Sequence, residues 1–196
     1  MREKTISYRP TVLSSNDNAF AICFAARCIP LLIQQNVDGS DFFNRSWAVF
    51  KVGFNDTRGN YWIGNDLLSQ LTQPVRNYKL RFDLQLLSNS SWYWAEYSRF
   101  AVLDEFRSYE LRVSGYSGNI GDALSYQHGA PFTTYDRDND ARSGSNCAAF
   151  NGGGFWYKDC SQCNVNGIRD RGEYLRWYTR DTDSLLLQST RMWLMC

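Results

Sequence analysis

Thr134-Tyr-Asp136-Arg-Asp138-Asn-Asp140-Ala-Arg142-Ser-Gly144 is the stretch on which the fold assignment of this 196-residue protein turns. Carboxylates at every second position can converge on one hard cation when the backbone curls around it, with carbonyls interleaved as further ligands. The EF-hand pattern fails here: Ala141 stands where that loop needs Gly, and Cys147 where it needs Glu. The stretch is therefore another kind of calcium loop or a solvated acidic turn. Magnesium fits less well, because Gly152-Gly-Gly154 lacks the spacing and the Lys-Ser/Thr of a phosphate cradle. Asp136, Asp138 and Asp140 could serve as paired acids of a hydrolase, but aspartates this crowded suit a cation better. No catalytic residue is assigned, and the protein is not expected to be an enzyme.

Outward from this run, Gly115 to Gly167 is rich in Gly, Asp, Asn and Ser, yet carries Phe132, Phe150, Phe155, Trp156 and Tyr157. Long irregular loops within a domain are usually functional, so the site is expected here. Upstream, Asn65-Asp66 followed by Leu67, Leu68 and Leu71 predicts a short helix ending near Pro74. Tyr78-Lys-Leu-Arg-Phe-Asp-Leu-Gln-Leu86 alternates strictly enough to predict a half-buried strand. Tyr109-Glu-Leu-Arg-Val113 predicts another, with Gly115 and Gly118 supplying a turn after it. Trp62, Trp156 and Trp177 could form a stacking platform for sugars. His128 reads as a hydrogen-bonded loop residue rather than a base.

Lys and Arg number 21 against 20 Asp and Glu, so the protein lacks the electrostatic footprint of a nucleic-acid binder. Its most apolar segment, Ala19 to Ile33, is broken by Arg27 and Pro30 and neither spans a membrane nor reads as a secretory signal. Six cysteines and three sequons, at Asn44, Asn55 and Asn89, point nonetheless to an oxidising compartment and a glycoprotein. Cys160-Ser-Gln-Cys163 has the spacing of redox and zinc sites, but no second such pair exists and no βαβ context surrounds it. A disulfide from Cys147 to one of the two is the simpler use.

Val37-Asp-Gly-Ser-Asp-Phe42, Trp47, Tyr61-Trp-Ile-Gly-Asn-Asp66, Tyr116-Ser-Gly-Asn-Ile-Gly-Asp-Ala-Leu124, Phe132-Thr-Thr-Tyr-Asp-Arg-Asp-Asn-Asp140, Asn146-Cys-Ala148, Phe155-Trp-Tyr-Lys-Asp-Cys160 and Asn164-Val-Asn-Gly167 occur in that order. As a set they resemble the fibrinogen C-terminal domain, the family of ficolins, tachylectins, tenascins, angiopoietins and fibrinogen. The resemblance implies an α+β fold with a central twisted, mostly antiparallel sheet, short helices and long calcium-stabilised loops. It covers residues 31–196 and leaves 1–30 as a divergent or incomplete N-terminal segment, as if the sequence were partial. It implies a calcium site with side chains from Asp138 and Asp140 and carbonyls from Arg142 and Gly144. It also implies a Cys147–Cys160 disulfide closing the loop, and places Trp62 and Trp156 in the core.

The ligand pocket departs from the family pattern. Ser161 stands where acetyl-binding members carry His after Cys160, Asn151 where a Tyr lines the pocket, and Arg169 where a Tyr follows the Asn-Gly motif. Asn151, Cys160 and Ser161 are the expected ligand-binding residues, in a slot more polar than an acetyl group prefers. Cys163 is an extra thiol that could pair with Cys196, crosslink a second polypeptide or compete for Cys147. The resemblance implies a secreted, lectin-like, non-enzymatic recognition module of innate immunity or extracellular matrix. It would bind a glycan or extracellular protein through loops around 136–169. The alternative is a matrix or clot-like assembly or signalling domain binding another protein. Homo-oligomers would form through segments outside this sequence.

Overall fold

Strict alternation in Tyr78–Leu86 becomes strand β4 (Tyr78–Leu86), with Leu80, Phe82, Leu84 and Leu86 buried and the residues between them facing out. This computed structural model describes residues 29–73, 77–169, 175–178 and 184–196; the N-terminal segment assigned to 1–30 lies almost wholly outside them. Strand β4 pairs on one side with β5 (Trp92–Val102) and on the other with β11 (Ser184–Met195). Strand β1 (Leu31–Asn36) pairs with the far side of β11, so the first and last described strands meet, Leu31 opposite Leu194.

The remaining strands complete one nine-stranded sheet. Strands β2 (Phe54–Asn55) and β3 (Tyr61–Trp62) extend it beyond β1, and β6 (Leu111–Gly118) closes the opposite edge against β5. Strands β9 (Cys163–Asn164) and β10 (Arg176–Tyr178) join through β11, and β7 (Phe132–Thr133) pairs with β8 (Phe155–Trp156) as a separate ribbon. All these pairings are antiparallel. With three short α-helices among the described residues, α1 (Trp47–Val52), α2 (Asn65–Leu71) and α3 (Cys147–Asn151), this is the α+β architecture that the resemblance implies.

The predicted helix over 65–71 forms as expected. The predicted strand over 109–113 does not form in that register. Tyr109 has a φ of 51° and turns the backbone before β6 begins at Leu111, because its hydroxyl donates to Asp66 and its ring stacks on Trp47. Nor do Gly115 and Gly118 make the turn, since β6 runs through both. Gly115 sits at φ 75° against β5, and a Cβ there would lie 2.0 Å from Ser98 Oγ. The outer edge of β6 is covered by its own loop. Leu111 N–H donates to Ala130, Gly129 N–H donates to Leu111, and His128 Nδ1 sits 2.8 Å from the Val113 carbonyl.

Helices and loops pack on the inner face of the sheet through aromatic rings. Phe50, Trp62, Phe132 and Trp156 form a cluster with centroids 5.1 to 6.1 Å apart, and Trp177 meets Phe82 at 5.1 Å. Trp62, Trp156 and Trp177 are all fully buried, so none of them is part of a sugar-stacking platform. A buried polar network then ties the loops to the sheet. Gln34 on β1 donates to Val165 O and Asn166 Oδ1, each at 3.0 Å, and Asn166 donates onward to Gly154 O. The two asparagines of the Asn164-Val-Asn166 motif are thereby structural, because Asn164 Oδ1 accepts the Asn166 N–H.

Candidate recognition site

The three alternate aspartates of the acidic run have different surroundings. Asp136 folds back onto helix α1: its carboxylate accepts the Trp47 backbone N–H at 2.9 Å and the Thr134 hydroxyl at 2.7 Å. The hydroxyl of Ser46, the residue before the helix, makes no capping bond, so Asp136 supplies from a distant loop what the local sequence does not. The neighbouring Arg137 lies 3.9 Å over the Trp47 ring, and Trp47 Nε1 donates to Glu105. Lys51 and Arg137 both pair with Glu105, so an ion network anchors the start of the loop to α1. It holds the Glu105 carboxyl below, and the Lys51 ammonium above, their ordinary values.

Asp138 and Asp140 are held differently. Asp138 accepts the Asp140 N–H, and Asp140 accepts the N–H groups of Arg142 and Cys147, each at 2.8 Å. Burial and the adjacent Asp138 carboxylate raise the Asp140 acid above the usual range, against those two backbone donors. Neither carboxylate forms an ion pair with any described residue. Arg142 instead turns its guanidinium to Asp159 and to Cys160 Sγ. Gly144 takes a φ of 81° in open space. Two carboxylates held close together by backbone donors, without a cationic partner among the described residues, are groups that could hold a hard divalent ion. No cluster of three or more His, Cys, Asp or Glu suited to a metal occurs among the described residues.

Asparagines fix the rest of the loop. Asn139 donates to Phe132 O at 2.8 Å, and Asn146 caps α3 through the Ala149 N–H while donating to Thr134 O. Sequence reading misses Asn139 and Asn146 as anchors. An Asn just before a short helix is the available signal for the second. The Cys147–Cys160 disulfide closes the loop, and Cys163 is a buried free thiol beside Gln127. Cys163 is therefore bonded neither to Cys147 nor to Cys196, which is itself disulfide-bonded.

The expected ligand residues surround that disulfide without all facing outward. Asn151 closes α3 at 1% exposure, its amide donating to Cys147 O while its Oδ1 has no partner. Ser161 is partly exposed as a residue, but its Oγ is buried and also lacks a partner. Cys160 is partly exposed, with Tyr126 hydrogen-bonded to Asp159 and lying under Lys158 next to it. The backbone of Arg169 is tied to Gly39. The sequon residues Asn44, Asn55 and Asn89 are all exposed. No helix among the described residues is long and apolar enough to cross a membrane.

Comparison with known proteins places this geometry. The family model for the C-terminal globular domain of fibrinogen beta and gamma chains matches residues 29–194. Tenascin-R of Homo sapiens is 37% identical over 151 residues, which are 76% of this chain and 11% of that protein. Ficolin-3 of Homo sapiens is 41% identical over 138 residues, 70% of this chain and 45% of that protein. The sequence thus spans less than half the length of these curated relatives. The solved fibrinogen-like globe domain of human ANGPTL2 superposes with a TM-score of 0.75 at 35% identity, covering 84% of this chain and 79% of that one.

Proposed function

The protein belongs to the family of the C-terminal globular domain of fibrinogen beta and gamma chains, and from that membership we propose that it is a secreted, non-enzymatic recognition module, stabilised by calcium, that binds a glycan or protein ligand through the loops around 136–169. The observation that carries this reading is the Asp138–Asp140 pair, held by backbone donors and answered by no protein cation among the described residues. Asp138 and Asp140 would hold the ion through their carboxylates, and Arg142 and Gly144 through their carbonyls. Calcium, when bound, supplies the positive charge that lets both carboxylates ionise side by side.

The protein's own residues do the rest. Asp136 and Asn146 fix the loop ends, and the Cys147–Cys160 bridge joins the loop to the segment bearing Ser161. Ser161 and Cys160, both partly exposed, are the residues of this segment that a ligand would meet, while the Ser161 Oγ is itself buried without a protein partner. Asn151, beneath the surface, shapes the wall instead of touching the ligand. A glycan array probed with calcium and again with chelator tests the proposal. Binding that disappears on chelation and with Asp138→Ala supports it. An array without signals, together with calcium-independent capture of an extracellular protein, would move the assignment to an assembly domain.

A further inference from the structure

The outward face of the central sheet carries a second group of side chains that the loops do not use. Strands β1, β11, β4 and β5 lie side by side, and their inward residues are buried. The register sets their outward residues in rows. Gln35, Arg191, Asp83 and Trp94 form one row. Ser189, Gln85 and Trp92 form the next, and Trp193, Arg81 and Glu96 the row on the other side.

Three indoles and two guanidiniums therefore share one face of a protein otherwise balanced in charge. The Arg81 guanidinium lies 5.2 Å over Trp94 and that of Arg191 lies 4.9 Å over Trp92. Asp83 accepts from Arg81 Nε at 2.9 Å and from Trp193 Nε1 at 2.8 Å, so the charge of Arg81 is matched within the protein. Arg191 donates through Nε to the neutral Gln35 and forms no ion pair with any described residue. Arg191 borders a shallow groove of about 320 Å³, lined also by Arg81, Asp83, Trp92, Tyr93 and Trp94.

We propose that this groove binds an acidic saccharide: a pyranose stacked on the exposed indole of Trp92, its carboxylate or sulfate received by the free end of the Arg191 fork. A guanidinium held over an indole keeps a planar pair of donors oriented for two oxygens of one anionic group. Trp92 is 44% exposed, and with Arg191 over one face of its indole a C–H face of a sugar would stack on the other. Three rows two residues apart span about 13 Å, room for two or three sugar units. An acidic peptide fits less well. The strands beneath are paired on both sides, which excludes strand addition, and the groove has no deep apolar pocket for an anchoring side chain.

The test is titration of the whole 196-residue protein with a sulfated heparin-derived hexasaccharide, in chelator throughout, with a glutamate decapeptide as comparison. The loop site is disabled under these conditions, so the outcome is independent of the function proposed above. Arg191→Gln and Trp92→Ala should each weaken the hexasaccharide at least about tenfold. Arg107→Gln, at an exposed position outside these rows, should leave it unchanged, and added salt should weaken the parent. Near-UV circular dichroism verifies each fold, and Trp92→Ala, at an exposed position, carries the test alone where Arg191→Gln misfolds. Absence of binding by the parent, parental affinity in Trp92→Ala, or equal affinity for the decapeptide would each overturn the proposal.

Discussion

The Asp136 carboxylate accepts the backbone N–H of Trp47 across 89 residues of sequence, capping from outside a helix whose own preceding serine does not cap it. The first aspartate of the acidic run thus belongs to the scaffold, and only the next two are left for a cation. Losing a capping acceptor typically costs about 1 kcal/mol. Asp136→Ala should lower stability by about that amount with and without calcium, as read by urea denaturation. A variant whose loss appears only in calcium would place Asp136 among the ion's ligands instead.

Asp138 and Asp140 should separate in the same experiment. For an extracellular-type site with Kd of about 10⁻⁴ M, about 2 mM calcium adds about 1.8 kcal/mol through binding to the folded state alone. Asp138→Ala should abolish that increment and leave the chelated protein near its parental stability. Asp140→Ala should also destabilise the chelated protein, because the Arg142 and Cys147 N–H groups lose their acceptor. Equal calcium increments in parent and Asp138→Ala would remove calcium from the account.

Alternation reveals β4 because one face of that strand is buried along its whole length, which the pattern of Leu80, Phe82, Leu84 and Leu86 records. The same pattern misleads at Tyr109, whose left-handed backbone is set by Asp66 and Trp47, residues remote in sequence. The division of labour among Asp136, Asp138 and Asp140 is hidden for the same reason: the partner of Asp136 is not local. Trp177 stays undecided on sequence because β10 is only three residues long, too short to show a period. The resemblance locates the bridge between Cys147 and Cys160, but motif matching cannot show that Asn151 is buried beneath the surface.

The bridge itself invites a quantitative check. Its cysteines are 13 residues apart, and closing a loop of that size in the unfolded state is worth about 3 kcal/mol in the chain-entropy treatment. The enclosed segment holds Asp159 and reaches back to the Cys147 N–H that supports Asp140. Cys147→Ala with Cys160→Ala should therefore lower stability by about 3 kcal/mol and weaken calcium binding together. A double variant with unchanged calcium affinity would show that the cation loop is set by Asp136, Asn139 and Asn146 alone.

Cys163 makes stability depend on alkaline pH. Burial first, and the Asp122 carboxylate second, push its thiol well above the ordinary range, so the folded state keeps this proton where the unfolded state releases it. An unfolded thiol titrates near about 8.5, and above that value the unfolded state binds fewer protons than the native one. Stability therefore falls as pH rises, by about 1.4 kcal/mol between pH 7.5 and 9.5. The raised hydroxyls of Tyr97, Tyr109 and Tyr157 act in the same direction and add a smaller fall toward the top of that interval, since an unfolded tyrosine is half ionised at about pH 10. Urea denaturation of the parent and of Cys163→Ala across that interval should show the fall in the parent, and a fall smaller by about 1.4 kcal/mol in the variant. The native thiol should also resist iodoacetamide at pH 8.5 and react once the protein is unfolded. Parallel pH profiles, or rapid alkylation of the folded protein, would mean that Cys163 reaches solvent and that its contact with Gln127 does not hold.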